Sequence, residues 1–232
     1  MQDTTAYQSF AKNKLGVTFK SIDLLITAFT HRSYVNEHRK TVKEHNERLE
    51  FLGDAVLELV VTEYLFENHE DPEGTLTNWR SALVRTESIS AAAARLEFEP
   101  LLRLSRGEKR GSTRARAQIL ANCYEAVIGA LYLDQGYEAA KNFIHQSVLS
   151  TFGQILQSGS WMDPKSHLQE LVQSKEGFTP VYKVLSEEGP DHDKSFTVGV
   201  FVEGQLRGQG TGPSKQAGQV AAAEAALRAA QE

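Results

Sequence analysis

The sequence predicts an all-α domain over residues 1–157, a short linker at 158–162 and a small α+β domain of order α-β-β-β-α over 163–232. Three observations carry this. Up to about residue 157, apolar residues recur at helical spacing with few alternating runs. Past "SGSWMDP" the pattern gives way to short segments with period-2 alternation and turn signals. Ser158, Gly159, Ser160 and Pro164 place linker-type residues at the change.

In the first domain, "HNERLEFLGDAVLELVVTEYLF" (residues 45–66) reads as a helix. Glu47, Glu50, Asp54 and Glu58 follow one another at three, four and four residues, which at 3.6 residues per turn confines them to a stripe about 80° wide. Leu49, Phe51, Leu52, Ala55, Val56, Leu57, Leu59, Val60 and Val61 cover almost all the remaining circumference, as expected of a helix packed on several sides. "HEDPEGT" interrupts the pattern. Residues 103–116, "RLSRGEKRGSTRAR", read as an exposed loop; six of the fourteen are Arg or Lys and only Glu108 is acidic, which favours phosphate contact over a merely solubilising linker. "QILANCYEAVIGALYL" (118–133) is a second largely apolar helix with Asn122 and Glu125 on one side, and Gly129 and Ala130 permit a close helix crossing.

In the second domain a short helix at 165–174 ends near Gly177. "PVYKVLS", "SFTVGVFV" and "QLRGQG" then read as three antiparallel strands, with Phe196, Val198, Val200 and Val202 on one face and a turn at Glu203-Gly204. The alanine-rich run 214–230 supplies a closing helix able to lie close on the sheet.

At 232 residues with 41% hydrophobic content the chain buries a real core. No signal-peptide core and no run of about 18 apolar residues is present, so neither export nor membrane spanning is expected, and the expected location is cytoplasmic. The single Cys123 leaves no internal disulfide, no thiolate metal cluster and no expectation of a disulfide-linked partner. The formal charge of −5 does not by itself advertise a nucleic-acid binder.

Acids on two apolar helices have a chemical use. Carboxylates brought together in an apolar setting repel and lose solvation, so a cation or raised pKa values must compensate. Hard dications such as Mg²⁺ take oxygen ligands of this kind and keep positions for water and substrate phosphate.

"NERLEFLGDAVL" resembles the signature of the ribonuclease III family, which cleaves double-stranded RNA. The resemblance extends to "THRSYVNE" (30–37), Glu73-Gly74, "LSRGE" (104–108) and "ILANCYEAVIGALYLD" (119–134), and the α-β-β-β-α region looks like the double-stranded-RNA-binding domain of bacterial members. It implies Glu50, Asp54 and Glu125 as acids of a Mg²⁺ centre, with Mn²⁺ as an alternative ion, and Asn122 as a metal position where the family pattern has Asp. Asp54 and Glu125, with Glu50 and Glu47, are the implied catalytic residues; Glu73 is implied near the substrate. Glu58 has no counterpart and reads as a partly exposed helix acid.

The same resemblance implies hydrolysis to 5′-phosphate and 3′-hydroxyl ends by a homodimer, leaving short 3′ overhangs, in processing of rRNA, mRNA and small-RNA precursors. Apolar residues not needed for the monomer core would form the dimer contact. Duplex RNA would be held by Ser166, Gln169 and Glu170 on the first small-domain helix, by His192 in "GPDHDK", and by Lys215. From Asp163 onward seven Lys or Arg face ten Asp or Glu, and Gln216 and Gln219 stand where the family often has lysines. Three other readings stay open: a non-catalytic duplex-RNA-binding regulator, motivated by Asn122, a helical metal-dependent nucleotide pyrophosphohydrolase, and a protein-binding role for the acidic small domain.

Overall fold

The computed structural model describes residues 4–159, 161–190 and 194–230. The chain divides into two compact units, residues 1–157 and 158–232.

The first unit is helical: α1 (Thr5–Phe10), α2 (Ile22–Ala28), α3 (Arg32–Glu37), α4 (Glu47–Asn68), α5 (Glu73–Val84), α6 (Thr86–Arg95), α7 (Thr113–Gln135), α8 (Tyr137–Ser147) and α9 (Phe152–Ser158). At its centre α7 packs against α4, with α2, α6 and α8 around it. Leu120, Tyr124, Val127, Ile128 and Leu131 of α7 are all buried. A cluster of Phe10, edge-to-face with both Phe29 and Phe98, and a tilted Phe29–Phe98 pair, with ring centres 5.0 to 5.3 Å apart, fills the space beside Tyr124. Asp134, near the end of α7, accepts the backbone N–H groups of Lys20 and Ser21 at 2.8 Å each and so fixes the start of α2. Burial alone would raise its pKa; those two bonds and one from Gln135 outweigh burial and hold it low.

Helix α4 packs on several sides and leaves one face open: Phe51 is 82% exposed, Leu59 56% and Phe66 79%. The periodicity shows that these positions are apolar, but not whether the chain's own residues cover them. One expectation needs correction: residues 103–116 are not a loop throughout, since Glu108–Arg110 form a 3-10 turn and α7 begins at Thr113. Arg103 pairs in register with Thr30, and its guanidinium lies 4.4 Å over the Tyr34 ring. Arg116, already in α7, binds Glu99 at 2.9 Å. Arg106, Lys109, Arg110 and Arg114 remain exposed.

In the second unit α10 (Pro164–Glu176) begins with Asp163, whose side chain accepts from the backbone N–H of Lys165 and Ser166 at 3.0 and 3.1 Å, and it stops at Gly177 with φ of 77°. Strands β1 (Val181–Glu188), β2 (Ser195–Val202) and β3 (Gln205–Gly212) form an antiparallel sheet in that order, and α11 (Lys215–Ala229) closes it. Val198, Val200 and Val202 are buried beneath the helices and Phe196 is half-buried. Alternate residues of β3, Gly208 and Gly210, meet α11 so closely that a Cβ on either would strike its backbone. This contact is why α11 is built from alanine.

Candidate active site

The site follows from one helix crossing. A Cβ on Gly53 of α4 would collide with the Glu125 carbonyl of α7, and one on Gly129 with the Leu49 carbonyl and, at 3.3 Å, with the Gly53 nitrogen. With glycine on both helices the backbones touch. Glu50 and Asp54 flank Gly53, and Glu125 lies one turn before Gly129, so the contact that packs the helices also gathers the acids.

The electrostatics show the crowding. Glu125, half-buried, is pushed up to about 8, first by burial and then by the charges of Asp54 and Glu50. Glu50 is raised by burial and by Glu47 and Asp54, against a hydrogen bond from Asn122 that holds it down. Among the described residues no cation is paired with Glu50, Asp54 or Glu125, whereas the two ends of the acidic stripe are compensated. Glu47 lies 3.6 Å from Arg32 and 3.8 Å from His45, and Glu58 lies 3.1 Å from Arg80. The four-acid stripe thus divides into a paired rim and an unpaired centre. Among the described residues no three His, Cys, Asp or Glu side chains close far enough to hold a metal ion unaided.

Asn122 stands beside the centre. Its Oδ1 accepts from Gln118 Nε2 at 2.7 Å, which turns its amide N–H toward Glu50. In this arrangement it donates to a carboxylate instead of offering an oxygen. Glu73 is elsewhere: it starts α5, accepts from Thr77 Oγ1 at 3.1 Å, and shares a groove with Phe66. In the second unit Ser166, Gln169 and Glu170 form one exposed face of α10, while Lys215 opens α11 and lies 3.2 Å from Glu187. His192 lies outside the described residues. Gly53, Gln118, Arg32 and Arg80 were not singled out from the sequence; of these only Gly53 left a local signal, a glycine inside a strongly helical run.

The helical unit and the α-β-β-β-α unit correspond, in that order, to a nuclease domain and a double-stranded-RNA-binding domain. Residues 21–152 match the family described as Ribonuclease-III-like, and residues 164–229 match the double-stranded RNA binding motif. The chain is 45% identical over 219 residues to ribonuclease 3 of Streptococcus gordonii, covering 93% of each. It is 47% identical over 220 residues to that of Geobacillus kaustophilus, covering 93% of this chain and 88% of the relative. The nuclease domain of ribonuclease III from Campylobacter jejuni superposes with a TM-score of 0.56 at 38% identity, covering 62% of this chain and 97% of that one. The chain belongs to the ribonuclease III family and is an endoribonuclease of the double-strand-specific type. No described helix is long and apolar enough to cross a membrane.

Proposed function

We propose that the chain acts in the cytoplasm as a Mg²⁺-dependent homodimer, cutting structured rRNA, mRNA and small-RNA precursors to 5′-phosphate and 3′-hydroxyl ends with short 3′ overhangs. One observation supports the chemistry above the rest: the Gly53–Gly129 contact gathers Glu50, Asp54 and Glu125 with no cation to balance them. Such a donor set, all oxygen and net negative, suits a hard dication, with Mn²⁺ as an alternative. Bound there, Mg²⁺ would supply Lewis acidity toward the phosphate and lower the pKa of water.

Glu50, Asp54 and Glu125 would be the ligands, with the Asn122 oxygen available once its amide turns away from Gln118. Asp54 and Glu125 would orient the attacking water, and one of the two would accept its proton. Glu47, paired with Arg32, would act from the rim of the cluster in a supporting or substrate-contacting role. In-line attack on phosphorus with departure of the 3′ oxygen leaves phosphate on the 5′ end.

The dimer reading starts from Phe51, Leu59 and Phe66, an exposed apolar stripe within about 80° on α4. Glu73 shares a groove with Phe66, whose place on α4 is about 18 Å along the helix from Asp54, and it would serve the acid cluster of a second copy. A two-fold axis through the middle of the stripe carries Glu73 of one protomer toward the acids of the other and matches the local symmetry of a duplex. The Campylobacter jejuni relative is described for flexibility in a region involved in dimer formation. Duplex RNA would lie along Ser166, Gln169, Glu170 and Lys215, with His192 as a further contact on the sequence reading alone, and Arg106, Lys109, Arg110 and Arg114 would add phosphate contacts.

The test is incubation with a long RNA duplex, single-stranded RNA and duplex DNA, with and without Mg²⁺, beside Glu125→Gln. Cutting confined to duplex RNA and Mg²⁺, with 5′-phosphate termini by end-labelling, is the expected result, and Glu125→Gln should bind without cutting. Binding with no cleavage in either Mg²⁺ or Mn²⁺ would leave a duplex-RNA-binding regulator, and nucleotide hydrolysis without duplex cutting would leave a pyrophosphohydrolase.

A further inference from the structure

Several cations of the second unit are already engaged, while Lys175 is exposed at the far end of α10. Arg207 is bound to Glu176 at 2.7 Å, Lys215 to Glu187 at 3.2 Å and Arg228 to Glu224 at 3.9 Å. Lys183 reaches over Phe201 on the sheet face turned away from the helices. Lys165 differs from all of these. From the first turn of α10 its Nζ reaches across to α11, donating to Gln219 Oε1 at 2.7 Å and lying 5.1 Å from the centre of the Tyr182 ring. Both partners are neutral, so the charge is held in place without being cancelled.

Around it is a polar pocket of about 330 Å³, lined by Ser166 and Gln169 of α10, Gln216 and Val220 of α11, and Tyr182 of β1. Asp163 also lines it; its Oδ1 caps α10, and its remaining negative charge is one that Lys165 must outweigh for an anion to bind. The pocket therefore lies between the exposed face of α10 and the start of α11, two of the regions assigned above to duplex RNA.

We propose that Lys165, seated in this pocket at the α10–α11 seam, binds a backbone phosphate of duplex RNA; this rests on the duplex-RNA reading given above. An ammonium has three protons, and Gln219 takes one, leaving two for a phosphate oxygen. The side chain is already ordered by Gln219 and Tyr182, so little rotamer freedom is lost on binding. Ser166 and Gln216 on the pocket wall add an O–H and an N–H within the same space. The charge thus reaches α11 from the neighbouring helix.

The experiment measures binding of the full chain to a 30-base-pair RNA duplex in EDTA, where hydrolysis is suppressed, across a salt series. Three variants are compared with the unaltered protein: Lys165→Gln, Gln219→Lys, and the two together. Lys165→Gln is expected to weaken binding about 3–10-fold at 0.15 M salt and to flatten the salt slope by about one counterion. The double variant, which moves the ammonium onto α11 at the atom Lys165 now touches, is expected to restore both. Thermal melts followed by circular dichroism confirm folding of each variant. Unaltered protein that fails to bind the duplex overturns the underlying reading. Normal binding by Lys165→Gln overturns this proposal alone, and so does a loss that Gln219→Lys does not repair, because then the defect is one of packing and not of charge.

Discussion

At the scale of single residues, the proposed chemistry rests on carboxylates that the fold holds at a cost. Glu125 is pushed up to about 8 in the folded chain, by burial and by Asp54 and Glu50, while in the unfolded chain it titrates in the usual carboxylate range. A raised carboxyl favours the folded state fully below the unfolded value, and that contribution is lost as pH rises toward the folded one. The metal-free protein should therefore lose about 1–2 kcal/mol between pH 5 and pH 8, after allowance for the solvent that reaches this half-buried group. Melting temperatures in EDTA should fall over that window, Glu125→Gln should flatten the fall, and a profile unchanged by the substitution would contradict the assignment. Asn122 offers the complementary case. Converting it to Asp adds a carboxylate oxygen and removes the amide donated to Glu50, so Mg²⁺ affinity should rise about tenfold, equivalent to roughly 1.4 kcal/mol. Calorimetric titration in the absence of RNA checks it; equal or weaker affinity would mean that Asn122 stands outside the ligand set. The acids themselves were legible in the sequence, because side chains three and four apart must share a helix face. The hydrogen bond from Gln118 to Asn122 was not, since helical spacing cannot say which way an amide points.

At the scale of elements, the crossing of α4 and α7 does what no single acid can. Helices that meet through ordinary side chains stand about 8–10 Å apart; glycine at 53 and 129 lets the backbones themselves touch. Gly53→Ala should cost about 3 kcal/mol, because the new methyl meets a carbonyl of rigid helix backbone and α4 must move. Its cleavage rate should fall by a larger factor than that of a core variant matched in stability, since the shift separates Glu50 and Asp54 from Glu125. Urea unfolding and single-turnover cleavage, compared with such a control as Val60→Ala, separate the two effects; a rate that simply follows stability would refute a positioning role for the crossing. The helical nature of both segments, and the permission for close approach at Gly129, could be read from the sequence. That Gly53 is its counterpart could not, because the pairing joins residues 76 positions apart and no local pattern records it. The small domain was more legible. Alternation in "SFTVGVFV" and the Gly177 stop are local signals that were read; Pro164, read as a linker residue, is instead the first residue of α10 behind its Asp163 cap, and the seating of Lys165 on Gln219 again depends on two helices meeting.

At the scale of the whole molecule, the question is why a chain with a complete core leaves phenylalanines in water. Two of the three large apolar residues on the open face of α4 are about four-fifths exposed, and burying such a face stabilises by about 25 cal/mol for each Å² removed from water. A second copy of the chain covers it most economically, because an interface related by a two-fold axis uses the same stripe twice. Phe66 distinguishes assembly from chemistry, since it lies about 18 Å along α4 from Asp54 and takes no part in the acid cluster. Phe66→Asp places a charge in the stripe, so sedimentation should shift from dimer to monomer at micromolar concentration. The helical circular dichroism should be unchanged, because the side chain is exposed in the single chain. Cleavage of duplex RNA should drop at least about 100-fold, since on the proposed dimer a monomer would lack its partner's acid at position 73 and could approach only one strand at a time. A Phe66→Asp protein that sediments as a monomer yet cuts duplex RNA at the unaltered rate would show that each chain completes its own site, and the role assigned to Glu73 across the two-fold axis would have to be abandoned.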